Sequence, residues 1–148
     1  MKSANSVANR RPRPFGMLIE IPIFHDPSGD LGFMEEESHI PFPIKRFFHI
    51  NGITANANRG GHAHKDCHQF LLALAGSFDI IIDDSWTRTT FRMDSARCGL
   101  HVPPGLWVDI TNFSDGAAIG ALASHLFSKS DYIRDYESYK KYAKSRYK

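Results

Sequence analysis

Two histidines separated by one residue are the most chemically informative feature of the sequence: His62 and His64 in the run RGGHAHK (59–65). Residues two apart on a β-strand point to the same face, so both imidazoles face one cavity if either does. An imidazole has an unperturbed pKa of about 6.5 and exchanges protons readily near neutral pH. The pair therefore suits catalysis by proton transfer. The alternative is that both histidines are cavity residues held by hydrogen bonds.

The spacing after this pair resembles the first sequence motif of cupins, H-x-H, then Glu, then Gly. His62 and His64 match the two histidines, and Gly76 matches the distant glycine. Gln69 stands in the place of the glutamate. Gly76 is expected to lie in the turn that returns the chain to the next strand.

A second cupin motif, P-x-G followed by His and Asn, is echoed by PPGLWVDITN (103–112), in which Val108 occupies the histidine position. A metal-binding cupin usually supplies three histidines and one carboxylate, and stable divalent sites generally need three or four protein ligands. Because Gln69 is a neutral amide and Val108 is aliphatic, the sequence predicts that no metal is bound.

The chain contains eight histidines in all. Six lie outside the motif, and taken singly they are more typical of ordinary hydrogen-bonded or exposed side chains than of ligands. They are His25, His39, His49, His68, His101 and His125.

Short segments rich in aliphatic, β-branched or aromatic residues make up most of the chain. Gly, Pro, Asn, Asp and Ser separate several of them, at spacings of about 8–12 residues. The segments are 17–24, 45–50, 68–75, 78–83, 89–93, 96–102, 106–112 and 117–124. The pattern predicts an all-β fold, an antiparallel jelly roll or β-barrel, with turn composition at 25–32. The resemblance of the two motifs implies that this fold is of the cupin type.

The two ends differ from this pattern. Residues 1–15 are polar, basic and proline-containing, which predicts a disordered tail before a single cupin domain at 16–148. Near the end, apolar side chains recur with helical spacing and predict a helix at about 131–145 that packs on the barrel. The residues are Tyr132, Tyr136, Tyr139 and Ala143.

Composition excludes several classes of function. The formal net charge is +2, and the positive excess lies at the two ends, which does not favour nucleic-acid binding. No apolar run approaches the roughly 20 residues of a membrane-spanning helix. The N-terminal residues lack the apolar core of a secretory signal, so we expect a cytoplasmic protein.

Four stretches resemble the dTDP-4-keto-6-deoxyhexose 3,4-ketoisomerases, small cupins that make precursors of deoxyaminosugars for bacterial surface polysaccharides. They are IPFPIKR (40–46), RGGHAHK (59–65) with Gln69, GLHVPPGLW (99–107) and DYIRDY (131–136). The resemblance implies an isomerase that converts a dTDP-linked 4-keto-6-deoxyhexose to the 3-keto sugar through an enediol(ate). It implies no cofactor.

The resemblance also implies roles for individual residues. His62 is similar to the base that removes the proton from C3, and His64 to the group that moves protons between the C3 and C4 oxygens. Arg46, Arg59 and Lys65 match basic positions expected to meet the diphosphate. An arginine suits this role because its planar guanidinium forms paired charge-assisted bonds to phosphate oxygens.

Gln69 and Trp107, in the two motifs, are also expected to contact the substrate. The chain departs from the family at two places. A tyrosine is common in the family near residues 47–49, and a histidine is common where Val108 stands. We expect His49 to substitute for the missing phenol.

Two classes of function remain open, an isomerase and a non-catalytic cupin that binds a nucleotide sugar. They differ in whether the histidine pair is needed for turnover or for binding alone. A third class, a metal-dependent oxygenase, is disfavoured by Gln69 and Val108.

The apolar N-terminal segment predicts a homodimer. Met17, Leu18, Ile19, Ile21 and Ile23 make an apolar strand able to pair with a second subunit. Exposed strand edges are normally covered, and a second subunit is one common cover. The expected partners are therefore a second copy of the chain and a dTDP-linked ketosugar.

Overall fold

The structure, a computed structural model, describes residues 9–148. This part of the chain forms twelve strands and one α-helix. The elements are β1 Met17–Glu20, β2 Ile23–Asp26, β3 Gly29–Gly32, β4 Arg46–Ile50, β5 Arg59–His64, β6 Gln69–Ala75, β7 Phe78–Asp83, β8 Arg88–Met93, β9 Cys98–Val102, β10 Trp107–Thr111, β11 Ala118–Ala123, β12 Tyr132–Ile133 and α1 Tyr136–Arg146.

Two antiparallel sheets of five strands form the body of the molecule. Sheet I has the order β1-β9-β6-β11-β4, and sheet II has the order β12-β5-β10-β7-β8. Between them lies an apolar core to which both sheets contribute. The predicted all-β jelly roll is confirmed, with two facing sheets that do not join into a closed barrel.

Alternate side chains of β6 pack into two different apolar clusters, one on each face of sheet I. Leu71 and Ala73 point between the sheets, whereas Phe70 and Leu72 point to the outer face of sheet I. There they pack with Phe42 and other residues of the segment that covers this face. Successive side chains of a strand alternate in this way, so a run of apolar residues indicates a strand buried on both faces.

The outer face of sheet II is covered by α1. Asp135 caps this helix by accepting a hydrogen bond from the backbone N–H of Ser138 at 2.8 Å. Tyr139 is completely buried, and its hydroxyl donates to the backbone carbonyls of Asp83 and Gly105. The helix therefore packs on the sheet as the sequence predicts.

The start of this helix differs from the prediction of about 131. Tyr132 and Ile133 form β12, which pairs with His64 and Ala63 of β5, and α1 begins only at Tyr136. The helical spacing of the tyrosines is real from Tyr136 onward, but pairing with β5 holds Tyr132 in a strand.

The N-terminal segment also differs from the prediction of one strand at 17–24 followed by a turn. Pro22 has no N–H and cannot continue a ladder, and the chain divides there into β1 and β2. Residues 25–32, predicted as a turn, include most of the β2–β3 hairpin.

The predicted disordered tail falls partly outside the described residues, which begin at 9. Within them, the N–H of Arg11 donates to the carbonyl of Arg146 at 2.8 Å, and the N–H of Lys148 donates to the carbonyl of Arg11 at 3.0 Å. Residue 11 is thus paired with the C-terminal segment, and disorder of the tail through residue 15 stays a prediction.

Across residues 9–148, we find no helix with the length and apolar character needed to cross a bilayer.

Candidate active site

A β-bulge at the start of β5 orients the histidine pair. His62 lies opposite Val108 and Gly60 lies opposite Asp109, which leaves Gly61 as an extra residue in β5. Gly60 and Gly61 have φ values of 84° and 70°, a conformation that favours glycine. A Cβ on Gly60 would lie 2.6 Å from the carbonyl oxygen of Val108. The two glycines of RGGHAHK therefore permit the bend after which His62 points between the sheets.

A cavity of about 530 Å³ opens between the two sheets beside this bend. Its walls are apolar toward the core and carry basic and imidazole groups toward the histidine pair. The lining residues are Phe48, His49, Ile50, Asn58, Arg59, Gly60, His62, Gln69, Leu71, Val108, Ile110, Ile119, Tyr132 and Arg134.

His62 lies on the cavity wall. Burial, together with the nearby His64, lowers the pKa of His62 to about 4. The imidazole is therefore neutral near pH 7 and holds a lone pair that accepts a proton. Within residues 9–148 its Nδ1 is buried without a hydrogen-bond partner.

His64 lies behind His62, with the two ring centroids 5.1 Å apart and the rings nearly perpendicular. Its Nδ1 is 2.7 Å from Oδ2 of Asp131. Burial lowers the pKa of His64, while the Asp131 carboxylate opposes that shift. Nε2 is buried and has no hydrogen-bond partner in the described part of the chain. His62 thus lines the cavity, and His64 lies behind it and not on the cavity wall; within residues 9–148 each neutral imidazole has one nitrogen without a hydrogen-bond partner.

Tyr132 completes this group. Its ring centroid lies 5.0 Å from that of His62 and 4.4 Å from that of His64. The guanidinium of Arg134 lies 4.4 Å from the same ring. Asp131, Tyr132 and Arg134 were not predicted as site residues, although DYIRDY is one of the stretches that carry the family resemblance. The DYIRDY motif could have identified these residues, but it was predicted to begin a helix, so they were not expected to lie beside the histidine pair.

The predicted basic residues occupy different environments. Arg59 lines the cavity, as does Arg134. Lys65 is exposed and outside the lining, although its backbone N–H donates to the carbonyl of Asp131 at 2.9 Å. Two arginines therefore line the cavity, and the lysine predicted to join them does not.

Arg46 lies next to the cavity rather than on its wall. Its guanidinium is 5.3 Å from the ring of Phe48 and 5.9 Å from that of Phe127. Its Nε is buried without a hydrogen-bond partner among the described residues, and its charge contributes to the lowered pKa of His64.

Trp107 was predicted to contact substrate, but the structure places it on the opposite face of β10. It is buried beneath α1 with its ring centroid 5.2 Å from Tyr136 and 5.6 Å from Tyr139. The reason is strand alternation, because Val108 lines the cavity and its neighbour must face the other way.

Gln69 and His49 both line the cavity. Gln69 is buried, at the start of β6. His49 is exposed and alternates with Phe48 along β4, and its ring lies 6.1 Å from that of Phe47. The phenol beside the histidine pair is that of Tyr132, which does not support the predicted substitution by His49.

One group of side chains in residues 9–148 has ligand atoms close enough to suggest a metal site. It comprises His64, Cys67 and Asp131, whose ligand atoms lie within 4.8 Å of one another. The positions at which cupins supply further metal ligands hold Gln69 and Val108 in this chain. The His64–Asp131 contact is a hydrogen bond in this arrangement.

Comparisons with known proteins agree with this geometry. A family model described as "FdtA: WxcM-like, C-terminal" matches residues 16–144. The TDP-4-oxo-6-deoxy-alpha-D-glucose-3,4-oxoisomerase of Aneurinibacillus thermoaerophilus is 39% identical over 117 residues, which are 79% of this chain and 84% of that protein.

Solved structures of sugar 3,4-ketoisomerases are also similar. QdtA from Thermoanaerobacterium thermosaccharolyticum, in complex with TDP, has a TM-score of 0.87 and 32% identity, covering 90% of this chain and 97% of that one. A histidine-to-asparagine mutant of QdtA, in complex with TDP-4-keto-6-deoxyglucose, has a TM-score of 0.86 and 32% identity, covering 88% and 95%. The protein therefore belongs to the WxcM-like FdtA family.

Proposed function

We propose that this protein is a sugar 3,4-ketoisomerase that converts a TDP-linked 4-keto-6-deoxyhexose to the corresponding 3-keto sugar. The observation that carries the proposal is a pair of adjacent neutral imidazoles: His62 lines the cavity and His64 lies behind it, and within residues 9–148 each has a buried nitrogen without a hydrogen-bond partner. Relatives that act on TDP-4-keto-6-deoxyglucose or bind TDP support the choice of substrate class.

The first step is removal of the proton on C3. The C4 carbonyl makes this C–H bond acidic, and His62, which lines the cavity as a free base, accepts the proton. The electrons of the C–H bond form the C3–C4 double bond, and those of the carbonyl π bond move to the C4 oxygen. The product is an enolate that still carries the hydroxyl on C3.

The second step moves a proton between the two oxygens. His64 takes the hydroxyl proton from the C3 oxygen and returns it to the C4 oxygen. The electron pair left on the C3 oxygen then forms the new carbonyl, and the double bond collapses as C4 takes the proton held by His62. Every electron pair remains within substrate and imidazoles, so the reaction needs no external oxidant or reductant, while the proton held by His62 exchanges with solvent in competition with its return to carbon.

The diphosphate is anchored by the arginines of the cavity wall. Arg59 and Arg134 line the same cavity as His62, and a guanidinium forms strong paired hydrogen bonds with phosphate oxygens. A volume of about 530 Å³ falls in the usual range for small-ligand sites, about 300–1,000 Å³. Calorimetric titration with TDP tests this step, and no binding at millimolar TDP would contradict it.

The test of the function is direct. The protein is incubated with TDP-4-keto-6-deoxyglucose in D₂O and the sugar is followed by NMR. We expect the 3-keto isomer to appear with deuterium at C4, and deuterium at C3 of recovered substrate. Binding of the sugar nucleotide without either change would favour the non-catalytic binding protein instead.

The 3-keto product suits a subsequent amination at C3, and we place the reaction in deoxyaminosugar biosynthesis for surface polysaccharide. A ketone is the functional group that an amine donor converts to an amino sugar. Detection of a 3-amino sugar when an aminotransferase is added to the isomerase reaction tests this placement.

We also propose a homodimer formed through β1. This strand is an edge of sheet I, and Met17 and Leu18 are about half exposed. An apolar groove of about 490 Å³ runs beside it, and Phe15, at 67% exposure, lies on its wall. A second subunit would cover this edge. Sedimentation at micromolar concentration should give the mass of two chains, and the mass of one chain would contradict the proposal.

A further inference from the structure

Asp131 makes a contact that determines where His64 carries its proton. The Nδ1 atom of His64 lies 2.7 Å from Oδ2 of Asp131. A carboxylate only accepts hydrogen bonds, so the neutral imidazole must carry its hydrogen on Nδ1. Nε2 then holds a lone pair, and in residues 9–148 it is the buried atom of this ring without a partner.

The carboxylate is itself held in place. Its second oxygen, Oδ1, accepts a hydrogen bond from the backbone N–H of Asp66 at 2.7 Å. Burial raises the pKa of Asp131, but the hydrogen bonds from His64 and Asp66 outweigh it and lower the pKa overall. Asp131 is therefore an anion near pH 7, with both oxygens engaged. Pairing of the next residue, Tyr132, with His64 keeps the two strands in register.

We propose that Asp131 is a positioning residue that acts through His64 by fixing the imidazole as the Nδ1–H tautomer. This inference rests on the proposed isomerase function. Moving a proton between two substrate oxygens requires a nitrogen that first accepts and then returns it. Nε2 meets that requirement only when the ring hydrogen is on Nδ1.

The charge of Asp131 also assists the intermediate state. While His64 carries the transferred proton it is an imidazolium, and the positive charges of Arg46 and Arg134 disfavour that form. The Asp131 carboxylate, at hydrogen-bond distance, opposes them. A neutral residue at this position would keep the shape of the site but lose this compensation.

The Asp131→Asn variant separates these effects from packing. Asparagine has nearly the same size and its oxygen still accepts from the Asp66 N–H. Its amide, however, donates to Nδ1 and moves the ring hydrogen to Nε2. We expect turnover to fall by about 10²–10³-fold, while deuterium exchange at C3, which depends on His62, stays within about tenfold of the wild type.

Asp66→Asn is the matched control. Asp66 is exposed and loses the same charge on substitution, but it contributes its backbone N–H, which remains. Turnover should stay within about twofold of the wild type.

The double variant Asp131→Asn/His64→Asn should be no slower than His64→Asn alone, because the effects of residues that act as one unit are non-additive. Asp131→Glu, which restores the acceptor, should recover at least a tenth of wild-type turnover even if Asp131→Asn folds poorly.

A second readout does not depend on turnover. Nitrogen-15 NMR of histidine-labelled protein distinguishes the two tautomers, and the resonances of His64 are those missing from His64→Asn. We expect Nδ1–H in the wild type and Nε2–H in Asp131→Asn. Equal tautomers in both proteins, or Asp131→Asn turnover within about threefold of the wild type, would overturn the assignment. A wild type that leaves TDP-4-keto sugars unchanged would instead overturn the proposed function, before any variant is compared.

Discussion

The protein contains two pairs of adjacent histidines that differ in how their nitrogens are used. His68 and His101 lie at the outer face of sheet I, with parallel rings 5.3 Å apart and a hydrogen bond of 3.0 Å between Nδ1 of His68 and Nε2 of His101. The ring of Phe42 covers both. By contrast, His62 and His64 are nearly perpendicular and share no hydrogen bond.

Residue type and burial do not separate the two pairs. Burial lowers the pKa of both His62 and His101 to about 4. The two pairs differ in their hydrogen bonds: His68 and His101 bond to each other, whereas within residues 9–148 His62 and His64 each have a buried nitrogen without a partner. Buried polar atoms without partners are uncommon in folded proteins, and this pair, of which His62 lines a cavity, indicates a ligand there.

The largest expected effect that tests this comparison is that of His62→Asn. Loss of the carbon base should lower turnover by at least about 10³-fold and abolish deuterium exchange at C3. Asparagine keeps a polar side chain of similar size, so TDP should still bind, which calorimetry checks. Exchange at C3 near the wild-type rate would show that another group removes the proton.

His64→Asn should have the next largest effect, a loss of turnover of about 10²–10³-fold. Because His62 remains, some deuterium exchange at C3 should persist, and the ratio of exchange to turnover should rise above that of the wild type. NMR in D₂O measures both quantities in one sample. If turnover and exchange fall equally, the division of roles between the two histidines is wrong.

His101→Asn should affect stability rather than catalysis. It breaks the hydrogen bond to His68 and leaves a partly buried nitrogen unpaired, which should lower the free energy of unfolding by about 1–2 kcal/mol in urea titration. Turnover should stay within about twofold of the wild type. A tenfold loss of turnover would contradict the conclusion that the His68–His101 pair contributes to stability and not to catalysis.

The last expected effect, which leaves turnover near neutral pH unchanged, is a pH dependence of stability that the two pairs share. His62 and His101 have folded pKa values of about 4 against about 6.5 unfolded, so the unfolded chain binds more protons between these limits. Stability should therefore be fully present above about pH 6.5 and fall as the pH drops toward 4. Thermal melts across this range should show the fall, with a shallower slope in His101→Asn. A constant melting temperature from pH 6.5 to 4 would contradict the lowered pKa values.

Much of the fold was predictable because the strands carry their own signals. Apolar runs such as that of β6 and the turn at Gly76 indicate a jelly roll, and Gly76 does lie between β6 and β7 with a φ of 63°. The adjacency of His62 and His64 was predictable for the same reason, since H-x-H on a strand places both rings on one face, and their catalytic roles stay a prediction. These inferences use local spacing, which a sequence shows directly.

Other parts depended on contacts between distant segments. Tyr132 has the same spacing as a helical residue, and pairing with β5 alone places it in the cavity. Asp131 meets His64 across 67 positions of sequence, which no local pattern shows. The position of Trp107 was predictable, because the motif assigns Val108 to the cavity and alternation along β10 then turns Trp107 to the other face. Its contact with substrate stays a prediction.

The four consecutive residues from Asp131 to Arg134 lie in three different environments. Asp131 bonds to His64, Tyr132 and Arg134 face the cavity, and Ile133 belongs to the core under α1. Because alternate residues face opposite sides, deleting one residue would send the isoleucine into the cavity and the tyrosine beneath the helix. In related proteins, this stretch should therefore accept amino-acid substitutions but keep its length. Insertions and deletions should occur in loops elsewhere.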